Sequence, residues 1–144
     1  MLLKDAPRLL GSTEARRVAG SIESFEGFLR VRTLPVTAAA PRTVHVHRHC
    51  HSPIADDGSA LVDLMASLPG VNAIDTAAGC CGMAGAFGYE HPGLSRTIAA
   101  RRLLPALEAA EVVVAHGSSC RSQIAELAGL PAIHPASFIA GRLP

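Results

Sequence analysis

From residue 43 onward, four short β-like runs alternate with four helix-like ones, and this rhythm limits the fold more than any other feature. The runs "TVHVHR" (43–48), "VNAIDT" (71–76), "EVVVAH" (111–116) and "PAIHP" (131–135) read as strands. Between and after them lie "GSALVDLMASL", with Ser59 at a cap position and Leu61, Leu64, Met65 and Leu68 on one face, and "LSRTIAARRLLPALEAA", with Pro105 as an expected kink. "SSCRSQIAELAG" follows with a serine cap and Gly129 near its end, then "ASFIAGRL". Strand–helix alternation places helices on both faces of a parallel sheet. "EVVVAH" is apolar without interruption, as a strand covered on both faces must be. The chain therefore reads as a three-layer α/β domain over residues 43–144, with a mostly parallel sheet of about four strands flanked by helices. Residues 1–42 read as an N-terminal helical segment and linker, the first thirty residues being helical, from Ser12 through Ala15, Val18, Ile22, Phe25 and Leu29, with a break near Gly20–Ser21. The Pro- and Ala-rich connector "RTLPVTAAAPRT" follows it.

In open parallel sheets, ligands sit beyond the carboxyl ends of the strands. Cys50 ends the first strand, Cys80–Cys81 follow the second and Cys120 follows the third. Three separate loops thus deliver all four cysteines to one edge, where they are expected to converge. "HVHRHCH" looks louder but says less. His45, His47, His49 and His51 alternate, and a ladder of that length in a strand spans about 20 Å, too far for one ion. Only the last of them can reach a site at the strand's end, so His47, His49 and His51 are candidates for hydrogen bonds to thiolates or to a ligand. His45 is expected to be packed or edge-exposed.

"GCCGMAGAFGYE" (79–90) surrounds the adjacent cysteines with glycines. Glycine after a strand permits positive φ and close backbone approach, and the N–H groups so exposed can bond sulfur. The segment has neither the G-x-G-x-x-G order of a dinucleotide site nor a P-loop lysine. In "GSSCRSQI" (117–124), Cys120 falls at a helix N-terminus, where the dipole and Arg121 would favour a thiolate. Four thiolates suit zinc or an iron–sulfur cluster. Neighbouring side chains diverge, which is easier to accommodate on different irons of one cluster than on a single zinc. A thiol enzyme with Cys120 or one of the adjacent pair as nucleophile is a further alternative.

The net charge of +1 gives no electrostatic case for nucleic acid, and 3% aromatics with no Trp leave no base-stacking platform. No apolar run reaches the roughly 18 residues of a membrane span. The start, "MLLKDAPRLLGSTEARR", mixes acids among its basic residues and does not read as a signal peptide. A cytoplasmic setting with reduced cysteines is expected.

These stretches together resemble the cysteine-rich CCG domain, named for the "CCG" at 80–82. Such domains occur in heterodisulfide reductase and in the iron–sulfur subunit of glycolate oxidase. The likeness is strongest to the C-terminal part of FAD-linked oxidases of the D-lactate or D-2-hydroxyglutarate dehydrogenase type, over about residues 20–141. The resemblance implies that Cys50, Cys80, Cys81 and Cys120 are metal ligands of a [4Fe–4S]-type cluster, with zinc as the alternative. His47, His49, His51, Gly82, Ser119, Arg121 and Gln123 would then line the cofactor cavity. Gln123 stands where the full motif has a further cysteine.

The 144 residues contain no FAD domain and no ferredoxin-like C-x-x-C-x-x-C-x-x-x-C-P segment. The resemblance therefore implies an electron-relay module that works with a FAD-binding dehydrogenase partner and a ferredoxin-like iron–sulfur domain, is inactive alone, and meets a membrane only through partners. A zinc-binding or metal-free docking module of such an oxidase is the alternative.

Overall fold

Four strands, all parallel, form the central sheet: β1 (Arg42–His47), β2 (Val71–Asp75), β3 (Val113–Ala115) and β4 (Ala132–Ile133), in the order β2-β1-β3-β4. The computed structural model describes residues 2–37, 40–52 and 58–144. The register sets His45 opposite Val113 and His47 opposite Ala115 across β1 and β3, with Val46 opposite Asp75 of β2. Because side chains alternate across a strand, each central strand feeds two cores. Val44, Val46, Val112 and Val114 point to one face, which is covered by α4 (Ala60–Ala66) and α8 (Pro135–Ala140) through Leu61, Leu64, Met65, Phe138 and Ile139. Val113 and Ala115 point to the other, which is covered by α6 (Pro92–Arg102) and α7 (Ser118–Ala128) through Ala99, Leu103, Cys120 and Ile124. A single turn, α5 (Phe87–Glu90), leads from the loop after β2 into α6. Each large apolar side chain buried in this way contributes about 1.5–3 kcal/mol. The architecture is thus three-layer α/β, and the sheet is parallel throughout.

The N-terminal helical reading resolves into three short helices: α1 (Leu2–Leu10), α2 (Thr13–Ser21) and α3 (Phe25–Arg30). Ser12 and Ser24 cap the second and third, accepting from the N–H groups of Ala15 and Gly27 at 3.0 Å each. Leu29 of α3, with Leu34 and Val36 beyond it, packs against the α4–α8 core, and Arg30 stands 3.8 Å from Asp63 of α4.

Two local expectations are corrected. Pro105 does not kink a continuing helix: α6 stops at Arg102, and Pro105 opens a separate 3-10 turn, Pro105–Leu107. Proline has no N–H to continue the ladder, so it suits the first position of a new turn. The helix carrying Cys120 has no serine cap either. Its cap residue is Gly117, with no side-chain capping bond. A Cβ there would stand 2.8 Å from His49 Cδ2 and 3.0 Å from Cys120 Sγ, so the start of α7 is shaped by what packs on it. Gly129, at φ +67°, ends α7 as expected. Among the described residues no helix is long and apolar enough to cross a membrane.

Candidate metal centre

In the order β2-β1-β3-β4 the strand sequence reverses direction between β1 and β3, and the crevice at their carboxyl ends is where such sheets bind ligands. Three segments meet there. The last residue of β1 is His47, and the turn after it carries His49, Cys50 and His51. The loop after β2 carries Cys80 and Cys81, and the first turn of α7 carries Cys120.

His47, Cys81 and Cys120 form the innermost group, each at most 4% exposed. Their ligating atoms lie within 4.8 Å of one another. Among the described residues neither ring nitrogen of His47 makes a hydrogen bond of ordinary geometry, although the imidazole lies close enough to Cys81 to favour its thiolate. A buried polar atom left in that state costs about 1–3 kcal/mol, a cost that a bound cation would remove at one nitrogen. Two sulfurs and a nitrogen on one zinc ion, at about 2.3 and 2.0 Å from it, stand roughly 3.3–3.8 Å apart. The trio is close to that spacing, so the donor set fits a metal.

The buried thiols are electrostatically unequal. Cys81 ionises well below the ordinary thiol range, near about 4, chiefly because the Cys120 thiol donates to it. Burial opposes this, while His47 and the Met83 N–H reinforce it. Cys120 is pushed in the opposite direction, because its proton is held between the two sulfurs, burial penalises its charge, and the other three cysteines add to the penalty. This corrects the expectation of a thiolate at Cys120: its place near a helix N-terminus is outweighed by the proton it shares with Cys81. Arg121 does not assist, because its guanidinium turns back to donate to the carbonyls of Ala115, at 3.1 Å, and His116.

Cys50 and Cys80 are exposed at the mouth. Burial, then the charges of Cys80 and Cys81, raise the Cys50 thiol above its ordinary value. Cys80 Sγ accepts the Gly82 N–H at 3.3 Å. A pocket of about 210 Å³ opens beside Cys50, lined by Arg48, His49, Asp75 and Gly79 among others. The Arg48–Asp75 ion pair, at 2.9 Å, forms part of its wall. The four cysteines therefore occupy one edge as an inner pair and an outer pair.

The glycine-rich loop is bent by positive φ at Ala77, Gly79, Gly82, Ala84 and Gly85. Gly82, at φ +95°, lies so close to α6 that a Cβ would meet the Ser95 carbonyl oxygen at 2.4 Å. Gln123 is buried and acts on the loop's backbone, its Nε2 donating to the Cys81 carbonyl at 3.1 Å and to Ser95 Oγ at 2.8 Å. It thereby fixes where Cys81 sits. Ser119 is half-buried beside Cys120.

The histidine run divides as its geometry requires. His45 is packed in the sheet at 7% exposure. β1 ends at His47, close to the expected end of the strand, and the chain turns, with the Ser52 N–H donating to the His49 carbonyl at 2.8 Å, so His49 and His51 lie beyond the sheet. His49 is half-buried, and its Nδ1 accepts the His51 N–H at 3.2 Å. Its Cδ2–Nε2 edge packs on Gly117 beside Cys120. Burial, then the neighbouring His51, lowers its pKa, while the Cys81 charge opposes. His51 is exposed, with its ring 5.1 Å from that of His49.

Sequence reasoning missed three residues next to this centre. Glu26 of α3, 6% exposed, is paired with His116 Nε2, and the His134 ring lies 5.9 Å from that of His116. With His49 they line a cleft of about 340 Å³. His116 and His134 each directly follow a strand, so the rule that located the cysteines could have located them. Glu26 carries no such signal, because it comes from the helical segment that precedes the sheet.

Comparison with known families agrees with this geometry: the model of the cysteine-rich domain family, CCG, matches residues 44–125. No curated protein and no solved structure gives a significant match.

Proposed function

Because the chain belongs to the cysteine-rich CCG domain family, we propose that it is an electron-transfer module built around a cysteine-ligated iron–sulfur centre. The observation behind this reading is the buried trio of His47, Cys81 and Cys120; Cys50 and Cys80 are exposed at the mouth of the same edge, outside that compact group, and would have to close on it. When bound, such a centre supplies one-electron chemistry at a potential tuned by charge, hydrogen bonding and exposure. This chain's own residues hold and tune it. Cys50, Cys80, Cys81 and Cys120 would be its donors, Cys120 and Cys50 giving up their protons on binding, and the Gly82 N–H donates to Cys80 Sγ. Gln123 anchors the Cys81 backbone. The outer pair faces solvent, where a FAD-binding dehydrogenase domain or subunit, with its ferredoxin-like iron–sulfur domain, would dock and deliver electrons.

The test is anaerobic reconstitution with iron and sulfide, followed by quantitation of both and by EPR. Matching iron and sulfide contents with a cluster signal are expected. A folded, fully reduced sample that takes up neither, even with the partner domain present, overturns the reading. One observation favours a second reading, a structural zinc site. An imidazole nitrogen belongs to the compact trio, and the 4.8 Å spread suits a single ion. Zinc bound one per chain, unchanged after anaerobic preparation, is its signature. Burial of Cys81, the thiol that ionises most readily, weighs against a thiol nucleophile.

A further inference from the structure

Cys81 and Cys120 come from separate segments, the loop after β2 and the first turn of α7, and backbone anchoring brings them together. Their ligating atoms lie within 4.8 Å of each other, and the Cys120 thiol donates to the Cys81 sulfur. The anchor is Gln123, one turn on from Cys120 along the same face of α7, whose Nε2 donates to the Cys81 carbonyl at 3.1 Å. The backbone of Cys81 is thus tied to the turn that carries Cys120. Gly117 leaves the other side clear, since a Cβ there would come within 3.0 Å of Cys120 Sγ. The adjacent pair is arranged differently. Cys80 is exposed and its sulfur accepts the Gly82 N–H at 3.3 Å, whereas Cys81 is buried, so these two side chains diverge. Two thiols already in hydrogen-bond contact need only a small rotation of their side chains to reach the roughly 2.05 Å of an S–S bond.

We infer that, in the metal-free chain, hydrogen peroxide drives Cys81 and Cys120 into a reversible disulfide that withdraws both inner sulfurs from metal binding. The step balances with no further reactant. Cys81 Sγ attacks one peroxide oxygen, the O–O bond breaks, and water leaves behind a sulfenic acid on Cys81. Cys120 Sγ then attacks the Cys81 sulfur. The S–O bond breaks, the S–S bond forms, and a second water leaves. The two sulfurs lose two electrons, the peroxide gains them, and both thiol protons end in the waters. Peroxide is close to water in size, which suits a pair at most 4% exposed. Closure leaves His47 as the one remaining donor of the trio, too few to hold an ion. The disulfide stands on the sulfur geometry and not on the electron-transfer reading, so it forms whether or not iron–sulfur reconstitution succeeds.

The experiment uses the full metal-free chain, reduced and then exposed to hydrogen peroxide. Remaining thiols are blocked with N-ethylmaleimide, and the digest is mapped by mass spectrometry without reduction. A peptide pair joining Cys81 to Cys120 is expected, and it should disappear after dithiothreitol. Cys50→Ser combined with Cys80→Ser removes the outer thiols, and this double variant, checked for folding by circular dichroism, should form the same bond. Should it not fold, the map of the unaltered chain decides alone. Cobalt(II) reports the consequence for metal binding. Its thiolate charge-transfer absorption should fall by about half or more in the oxidised chain, because two of the four sulfurs are withdrawn, and return with dithiothreitol. The inference is overturned if Cys81 and Cys120 stay unlinked in the unaltered chain or in the folded double variant. It is equally overturned if either is joined instead to Cys50 or Cys80, if dithiothreitol fails to reopen the bond, or if oxidation leaves the cobalt absorption unchanged.

Discussion

Gly82→Ala is the sharpest test of how the loop after β2 is built. Two costs apply. Alanine at φ +95° occupies a region that L side chains avoid, at about 1–2 kcal/mol. Its methyl group would also stand 2.4 Å from the Ser95 carbonyl oxygen. That oxygen belongs to the backbone of α6, so it cannot turn aside like a flexible side chain, and overpacking of this kind costs about 1–3 kcal/mol. A total near 3 kcal/mol lowers the melting temperature of a domain of this size by about 12 °C. Gly79→Ala supplies the matched control: φ is +72°, but nothing lies within 4 Å of the added carbon. It should cost about 1 kcal/mol, or roughly 4 °C. Thermal unfolding of both metal-free variants, followed by circular dichroism, reads the difference directly. Melting temperatures of the two within about 2 °C of each other would refute the claim that close approach to α6, rather than backbone handedness alone, requires glycine at position 82.

Three further outcomes follow from the same geometry. His47→Leu removes one member of the compact trio and the imidazole that supports the Cys81 thiolate, so metal uptake should fall and, in metal-free protein, the Cys81 titration followed at 240 nm should move upward. Gln123→Ala leaves the buried Cys81 carbonyl without this donor and opens a small void; a loss of about 2–3 kcal/mol is expected in urea unfolding. In metal-free protein, absorbance at 240 nm should reveal one thiolate already formed at pH 6, with a midpoint near about 4, and Cys120→Ala should shift that midpoint upward. The sign for stability follows from linkage. A thiol depressed on folding contributes fully above its unfolded value near 9, and this contribution fades as pH falls toward 4. The raised Cys120 and Cys50 thiols act oppositely and favour the fold only below that unfolded value.

The strands and their order along the chain were readable because apolar alternation is local, and the edge rule then placed the cysteines without any coordinates. Unequal roles within the set were not readable. Cys81 becomes the ready thiolate because Cys120, His47 and the Met83 N–H all face it, and that depends on three segments far apart in sequence. Helix-end reasoning assigned the charge to Cys120 because it weighed the dipole without the neighbouring sulfur. Gln123 was read as lining a cavity, whereas it ties α7 to the backbone of Cys81 and to Ser95. Ser95 itself gave no local signal. The histidines alternate in sequence past the last strand residue, but β1 does not continue with them, so the positions of the His49 and His51 rings are set by the turn and were not readable.

The helix that carries Glu26 bears on how the protein should be handled. A chain trimmed to residues 44–125 would start inside β1, stop inside α7, and discard α3, β4 and α8. The core that holds Val112, Val114, Leu64 and Met65 would lose Phe138 and Ile139, and His116 would lose its carboxylate. The stretch that identifies the family is thus a signature rather than a self-sufficient folding unit, and truncation at its borders should yield aggregating material instead of a smaller working part.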